Sequence, residues 1–418
     1  MVAFHVEAHD RPESPVSAEL SLQLGLLRAA ERACITGVRA IVLPDLAYYG
    51  IAEALAPMLP VPIIGVGRAV LEALSTDEPC TARVRLISTL SVDVYSALAA
   101  HFANAGIELS IERIEYVGQA VDSAVADAIT RARGAGIERL CLGDDLAQLV
   151  SVDSRYEASL IDSAAACARA VLALRARKPF KLGVVGGVGP AATVAFLDHI
   201  VQSTPARRDQ EHLKLIIEQN PQIPDRTAYL LGNGVDPTLA LLAICEDLQR
   251  AGATAIAIPC NTAHAFIERI APALRVPVVH MPREAIRFVA NALPAARTLG
   301  LLATDGTIAT GLYHDEARAA GLAMLVPDVT HQRLVMDAIY GPGGVKAGQR
   351  DSLHRDAIGR AVGHLASRGS DAIILGCTEL PLLLPHQLDY CVDGFMVPVV
   401  DPAKVLALRC VELSARTD

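Results

Sequence analysis

Gly252-Ala-Thr-Ala-Ile-Ala-Ile-Pro-Cys260 is an apolar run that stops on a proline and a cysteine, and Gly37-Val-Arg-Ala-Ile-Val-Leu-Pro-Asp45 has the same outline. The offset between them is 215 (252 less 37), and it also pairs Val61-Pro62 with Val276-Pro277, Thr89 with Thr304 and Gly106 with Gly321. An ungapped correspondence over about 70 residues, joining turn residues to turn residues, marks a tandem duplication of a large unit and not a short solenoid repeat. After a small length change, Leu142-Gly143-Asp144 lines up with Leu375-Gly376-Cys377 at an offset of 233 (377 less 144). Ile161-Asp162 corresponds in turn to Val400-Asp401.

Working outward, short β-branched runs alternate with Ala/Leu-rich amphipathic stretches along the whole chain, which is the pattern of α/β units with parallel sheets. The strands expected are Ala40–Leu43, Val61–Gly65, Val84–Ser88, Arg139–Leu142, Lys181–Val185, Leu213–Ile217, Ala255–Ile258, Val276–His280, Thr298–Ala303 and Ala372–Leu375. The basic stretch Arg175–Lys178, followed by Pro179, interrupts the pattern and marks the main boundary, giving domains 1–176 and 181–418.

The chain has 418 residues, enough for two or three domains with their own cores. It is 52% hydrophobic and 20% charged, which excludes wholesale disorder. There is no tryptophan and only 4% aromatic residues, so Ala, Leu, Val and Ile must fill the core. A net charge of −9 speaks against nucleic acid as a partner. The apolar runs are strand length, far short of the roughly 20 residues of a membrane span. His5, Glu7, His9 and Asp10 would spoil a signal peptide, so a soluble, cytoplasmic protein is expected.

Nine cysteines, without a CxxC pair or a Cys/His cluster along the sequence, point neither to a disulfide framework nor to a zinc site. Cys34, Cys141, Cys167, Cys245 and Cys410 read as small core residues, and Cys80 and Cys391 as loop residues without partners. Cys260 and Cys377 differ. Each follows a buried parallel strand, where open α/β sheets place their ligand crevices, and each is expected to precede a helix whose amino end favours a thiolate. Asn261 and Thr262 flank the first, Thr378 and Glu379 the second, and His264 stands four residues beyond Cys260, as a tuning group or a plain helix-face residue.

Two thiols suit proton transfer at a Cα: one acts as base on one face while the other donates a proton on the opposite face. A thiol near pKa 8.5 can serve in either role, so the pair runs in both directions. The turn Lys181-Leu-Gly-Val-Val-Gly-Gly-Val-Gly-Pro-Ala-Ala-Thr193 could hold a carboxylate or phosphate on its amides. Gly187-x-Gly189-x-x-Ala192, with Glu218 beyond, also fits a loose dinucleotide fingerprint, which keeps a nicotinamide enzyme as a rival, although Pro190 removes an amide beside the third small residue.

Taken together, Gly186-Gly-Val-Gly-Pro190, Asn220-Pro-Gln-Ile-Pro-Asp-Arg-Thr227, Pro259-Cys-Asn-Thr-Ala-His264, Leu302-Ala-Thr-Asp-Gly-Thr307 and Gly376-Cys-Thr-Glu-Leu380 resemble the aspartate/glutamate racemase superfamily, and the aspartate racemases most closely. The resemblance runs from Lys181 to the C-terminus. It implies two pseudo-symmetric Rossmann-like subdomains, about 181–293 plus 398–418 and about 295–397, with the site between them. It further implies Cys260 and Cys377 on opposite sides of the substrate Cα, with no cofactor and no metal. Gly187, Gly189, Pro190 and Thr193 of the turn, with Asn261, Thr262 and Thr378, would hold the α-carboxylate and α-amino group, and Arg226 a distal carboxylate. Thr304 and Glu379 join this substrate-binding set. Similar enzymes often carry a Tyr and a Lys a turn apart, whereas Tyr340 and Lys346 are here six positions apart across Gly341-Pro-Gly-Gly344, which weakens the assignment of a substrate role to Lys346.

The first half reads as a degenerate copy, with Asp45 and Asp144 at the thiol positions and no opening glycine turn. A built-in pseudo-subunit is the leading reading of it; carboxylate acid/base chemistry or an amino-acid regulatory site are the others. A homo-oligomer is also compatible with the resemblance. For the second half, racemisation of aspartate, glutamate or a related amino acid leads. Maleate isomerisation, hydantoin racemisation and decarboxylation on the same scaffold compete, as does a non-catalytic amino-acid sensor. Two cysteines argue against the decarboxylases, and Arg226 favours an amino diacid over a hydantoin.

Overall fold

In a computed structural model of the chain, residues 18–415 are described apart from 36–37, 39, 44–45, 47–48, 60, 77–82, 91, 116–120, 138, 144–145, 147–159, 162 and 174–179. The chain forms two compact units, Met1–Pro179 and Phe180–Asp418. In the first unit β1 (Ile41–Leu43) pairs in parallel with β2 (Ile63–Gly65). A parallel sheet in the order β4-β3-β5 follows, from β3 (Arg83–Ser88), β4 (Glu108–Arg113) and β5 (Arg139–Leu142).

The second unit has two sheets among its described residues. The first has the order β7-β6-β8-β9 and is all parallel: β6 (Leu182–Gly186), β7 (Leu215–Gln219), β8 (Ala255–Ala257) and β9 (Val278–Val279). The second runs β11-β10-β12-β14-β13, from β10 (Thr298–Ala303), β11 (Ala323–Leu325), β12 (Ala372–Gly376), β13 (Gln387–Val392) and β14 (Phe395–Val400). Only the β13–β14 hairpin is antiparallel. It turns at Asp393 and Gly394, both at positive φ, as a tight hairpin turn demands.

The strand registers carry the duplication. Ile41 pairs with Ile63 and Ile256 with Val278, each partner 215 positions on. Arg83 pairs with Glu108, and Thr298 with Ala323, at the same offset. Val84 faces Arg139 as Leu299 faces Ala372, across the jump to an offset of 233. Even the single bridge Leu140–Leu160 has its counterpart in Ile373–Val399. Equivalent residues thus make equivalent backbone bonds in the two units.

The unbroken apolar runs follow from burial on both sheet faces. Neighbouring Val184 and Val185 are both fully buried, yet pack into different cores. Val185 meets Leu241, Ile244 and Leu248 of the helix Thr238–Arg250. Val184 meets Phe196 and Ile200 of Pro190–Ser203, and Leu406 and Cys410 of the final helix Pro402–Ala415. Each such side chain stabilises the fold by about 1.5–3 kcal/mol. The final helix therefore returns to the first sheet after the chain has built the second.

Cys141, Cys167, Cys245 and Cys410 are buried and Cys34 partly so. Cys391 lies exposed on β13, a strand and not a loop. Cys80 falls outside the described residues. Among those residues no helix is long and apolar enough to cross a membrane.

Candidate active site

The parallel strands of the second unit deliver their carboxyl ends to one cleft of about 270 Å³, measured out to the solvent at its mouth. From the first sheet come Val188, Arg226, Thr227, Cys260, Asn261 and Thr262; from the second, Thr304, Tyr340, Lys346, Cys377, Thr378 and Glu379. Cys260 and Cys377, 117 positions apart (377 less 260), share this wall and are both buried.

Cys260 is set by its backbone. Its N–H donates to the Ile258 carbonyl at 2.7 Å around Pro259. His264 ring Nδ1 lies 2.9 Å from the Cys260 carbonyl, and its Nε2 accepts the Met281 N–H at 3.0 Å. With both ring nitrogens engaged, His264 is a neutral tautomer donating from Nδ1; burial, then His280, pushes its pKa down to about 3. It positions the Cys260 backbone and does not touch the sulfur. The cation beside Cys260 is Arg226, buried in the wall and donating from Nη1 to the Ile223 and Pro224 carbonyls at 3.3 and 3.0 Å. Burial opposes its charge, while Cys260 and Asp225 favour it.

Cys377 has other company. Its thiol donates to Glu379 Oε2 at 3.0 Å, and Lys346 Nζ stands 3.2 Å from Glu379 Oε1. Burial, then the Glu379 carboxylate, pushes this thiol well above its ordinary value. Burial is the largest single influence and works against the charge of Lys346, but Glu379, Cys377, Tyr340 and Cys260 together outweigh it and keep the ammonium. The expected helices after the cysteines are short: Cys260 is followed by the 3₁₀ turn Thr262–Phe266, which runs on into the single α-turn Ile267–Ile270, and Cys377 by the 3₁₀ turn Leu380–Leu382.

Threonine hydroxyls join the two sheets beneath the cleft. Thr227 Oγ1 donates to Thr304 Oγ1 at 3.1 Å, and Thr262 Oγ1 lies 2.7 Å from Thr307 Oγ1. Tyr313 donates to Asn261 Oδ1 at 2.5 Å, which turns the Asn261 amide and leaves its Nδ2 without a protein partner. Arg226 Nε and Glu379 Oε1 are likewise buried without a hydrogen bond, although the latter faces Lys346. Two donors, Arg226 Nε and Asn261 Nδ2, thus remain spare on residues that line the cleft.

The six-position gap between Tyr340 and Lys346 does not keep Lys346 away. Gly341 and Gly344 pack so closely on the end of the helix Val329–Tyr340 that a Cβ would fall 2.4 Å from the Asp337 carbonyl and 2.9 Å from that of Ile339. The chain doubles back, and Lys346 Nζ lies 5.0 Å from the centre of the Tyr340 ring. The glycine turn corrects an expectation in the other direction. Gly187, Gly189, Pro190 and Thr193 do not line the cleft, and the Gly187 N–H is already donated to Thr193 Oγ1 at 3.1 Å. Their neighbour Val188 is the lining residue, and Gly189, at φ +102°, lets the Glu379 carboxylate approach. Val188 and Thr227 belong to the Gly186–Pro190 and Asn220–Thr227 motifs and Tyr340 precedes the Gly341–Gly344 turn, but nothing in the sequence alone marks these three as lining residues. Asp45 and Asp144 lie outside the described residues.

Comparison with known proteins agrees on the region. The Asp/Glu/Hydantoin racemase family profile matches residues 185–410. The broad specificity amino-acid racemase RacX of Bacillus subtilis is 26% identical over 235 residues, covering 54% of this chain and 94% of that protein. A glutamate racemase of Mycobacterium leprae is 34% identical over 176 residues, covering 39% of this chain and 61% of that protein. Among solved structures, Picrophilus torridus aspartate racemase is 25% identical with a TM-score of 0.49, covering 56% of this chain and 94% of that one. With more than half of its length matched by the family profile, the chain belongs to the Asp/Glu/Hydantoin racemase family.

Proposed function

We propose that the second unit racemises an amino acid by a two-thiol mechanism, with Cys260 and Cys377 as opposed base and acid. The observation that carries this reading is their presence in one cleft with unlike neighbours. In this mechanism the buried Cys377 thiol, donating to Glu379, starts as the acid, and Cys260, beside the Arg226 guanidinium, starts as the base. A free enzyme in that state removes the Cα proton with Cys260 and returns one from Cys377 to the other face. The mirror-image substrate meets the reverse pair, Cys260 as thiol and Cys377 as thiolate. Both proton positions come from side chains, so the reaction needs no cofactor.

The unused Asn261 and Arg226 donors complement a carboxylate on a small molecule. Lys346 adds a cation that suits a second carboxylate, and so aspartate, glutamate or a close relative. The test is exchange in D₂O over a panel of L- and D-amino acids. At early times deuterium should appear at Cα of the product enantiomer, and at equilibrium in both. Absence of exchange with every amino acid tried, in folded protein with reduced thiols, would sink the reading.

A further inference from the structure

Outside the cleft, the second unit brings together three side chains that the proposed reaction does not use. Asp328 caps the helix Val329–Tyr340: its Oδ1 accepts the His331 N–H at 2.9 Å and lies 2.8 Å from His331 Nδ1. His364, on the helix Ser352–Ser367, stacks on His331 with ring centres 4.0 Å apart and planes 10° from parallel. Its Nε2 accepts the Asp328 N–H at 3.3 Å and stands 3.6 Å from Asp328 Oδ2. One ligand atom from each residue falls within 4.8 Å of the others. Asp328 is exposed and both histidines are partly so, which leaves the group open to solvent.

The lone pair of His364 Nε2 is already turned toward Asp328 and its amide. Neutral imidazole is the form that binds metal. Two imidazoles with one carboxylate suit a borderline ion such as Zn²⁺ or Ni²⁺; Mg²⁺ and Ca²⁺ favour oxygen donors throughout.

We propose that Asp328, His331 and His364 form a surface site for a divalent transition-metal ion. The ion replaces the proton held between Asp328 and His331 and joins the start of one helix to the body of the next. Two donors must yield: Arg368 Nη1 sits 3.4 Å from His364 Nε2 while it also donates to the Val326 carbonyl at 2.8 Å, and the Asp328 N–H donates to the same ring nitrogen at 3.3 Å. That nearby cation makes this a site of modest affinity.

The molecule supplies its own control. Asp351 and His354 make the same cap on the helix Ser352–Ser367, with His354 Nδ1 2.6 Å from Asp351 Oδ1. No second histidine is grouped with that pair among the described residues. ZnCl₂ is therefore titrated by calorimetry into the full chain and into His331→Ala, His364→Ala and His354→Ala, the thiols being common to all four. The wild type and His354→Ala should bind one equivalent more than the other two. Equal stoichiometry in all four chains overturns the proposal, and so does loss of the same equivalent in His354→Ala. His364→Gln, which leaves the Asp328–His331 hydrogen bonds of the helix start in place, provides the same readout should His331→Ala disturb that start.

Discussion

The two sheets that meet at the cleft each contribute a thiol just beyond a parallel strand, but they surround it with opposite charge. Cys260 lies beside a buried guanidinium, and Cys377 donates to a carboxylate that a lysine balances. The two sheets share one strand order, β7-β6-β8-β9 beside β11-β10-β12-β14, with Cys260 after β8 and Cys377 after β12, which explains why the sulfurs sit alike; the side chains around them are what differ. Enantiomers have equal free energy, so kcat/KM must be the same in both directions. Unlike thiols can therefore show only in kcat and KM separately, and that is where the comparison can be broken.

The largest effect expected is from the sulfurs themselves. Cys260→Ser and Cys377→Ser should each lower interconversion by about 10³-fold, because each removes a group that transfers a proton in the rate-determining steps. Polarimetry in both directions measures this, and a variant retaining a tenth of the activity would show that one thiol is dispensable. Arg226→Lys keeps a charge near Cys260 but loses the planar fork, and a fall in kcat/KM on the order of a hundredfold is expected. A rate within a factor of three of wild type would remove Arg226 from the site. Glu379→Gln should cost about tenfold, since it alters a proton's affinity and not its presence. The sign is definite: a carboxylate raises the pKa of a neighbouring acid, so its loss lowers that of Cys377. The alkaline limb of the pH–rate profile, where Cys377 loses its proton, should move to lower pH, and kcat in the two directions should draw together. An unmoved limb would mean that Glu379 does not govern this thiol.

Much of this architecture was legible in the amino-acid order because burial on both faces leaves a continuous apolar signal. All ten expected strands are found, with ends shifted by a few residues, and the repeat offset foretold which residues pair. β4, β11 and the β13–β14 hairpin were not read. β4 and β11 are half-exposed edge strands without that signal, and the hairpin had its Asp393-Gly394 turn as an overlooked cue. Within the site, the thiols were legible because each sits in a motif of its own. The Lys346–Glu379 pair was not, since it depends on a loop doubling back on a helix end, and neither was the grouping of His331 with His364 from separate helices.

The glycine turn has no counterpart beside Cys377, and it tests how much the asymmetry rests on close packing. A Cβ on Gly189 would meet Glu379 Oε1 at 2.5 Å with φ at +102°. Gly189→Ala should destabilise the unit by about 1–3 kcal/mol, read as a lowered midpoint in urea. An unchanged midpoint would mean that Glu379 can withdraw, and that its grip on Cys377 is looser than its 3.0 Å contact indicates.

The smallest effect is expected where the first unit has carboxylates in place of thiols. Equivalent residues there make equivalent strand pairings, and the sequence correspondence sets Asp45 and Asp144 against Cys260 and Cys377. A carboxylate near its usual pKa of about 4 is a poor match for a thiol's exchange of acid and base roles near neutrality. Asp45→Asn and Asp144→Asn should therefore change kcat/KM by less than about twofold, because the proposed mechanism confines the proton transfers to Cys260 and Cys377. A tenfold loss in either variant, with unfolding midpoint unchanged, would make the first unit a participant in turnover and overturn the expectation that it is a degenerate copy.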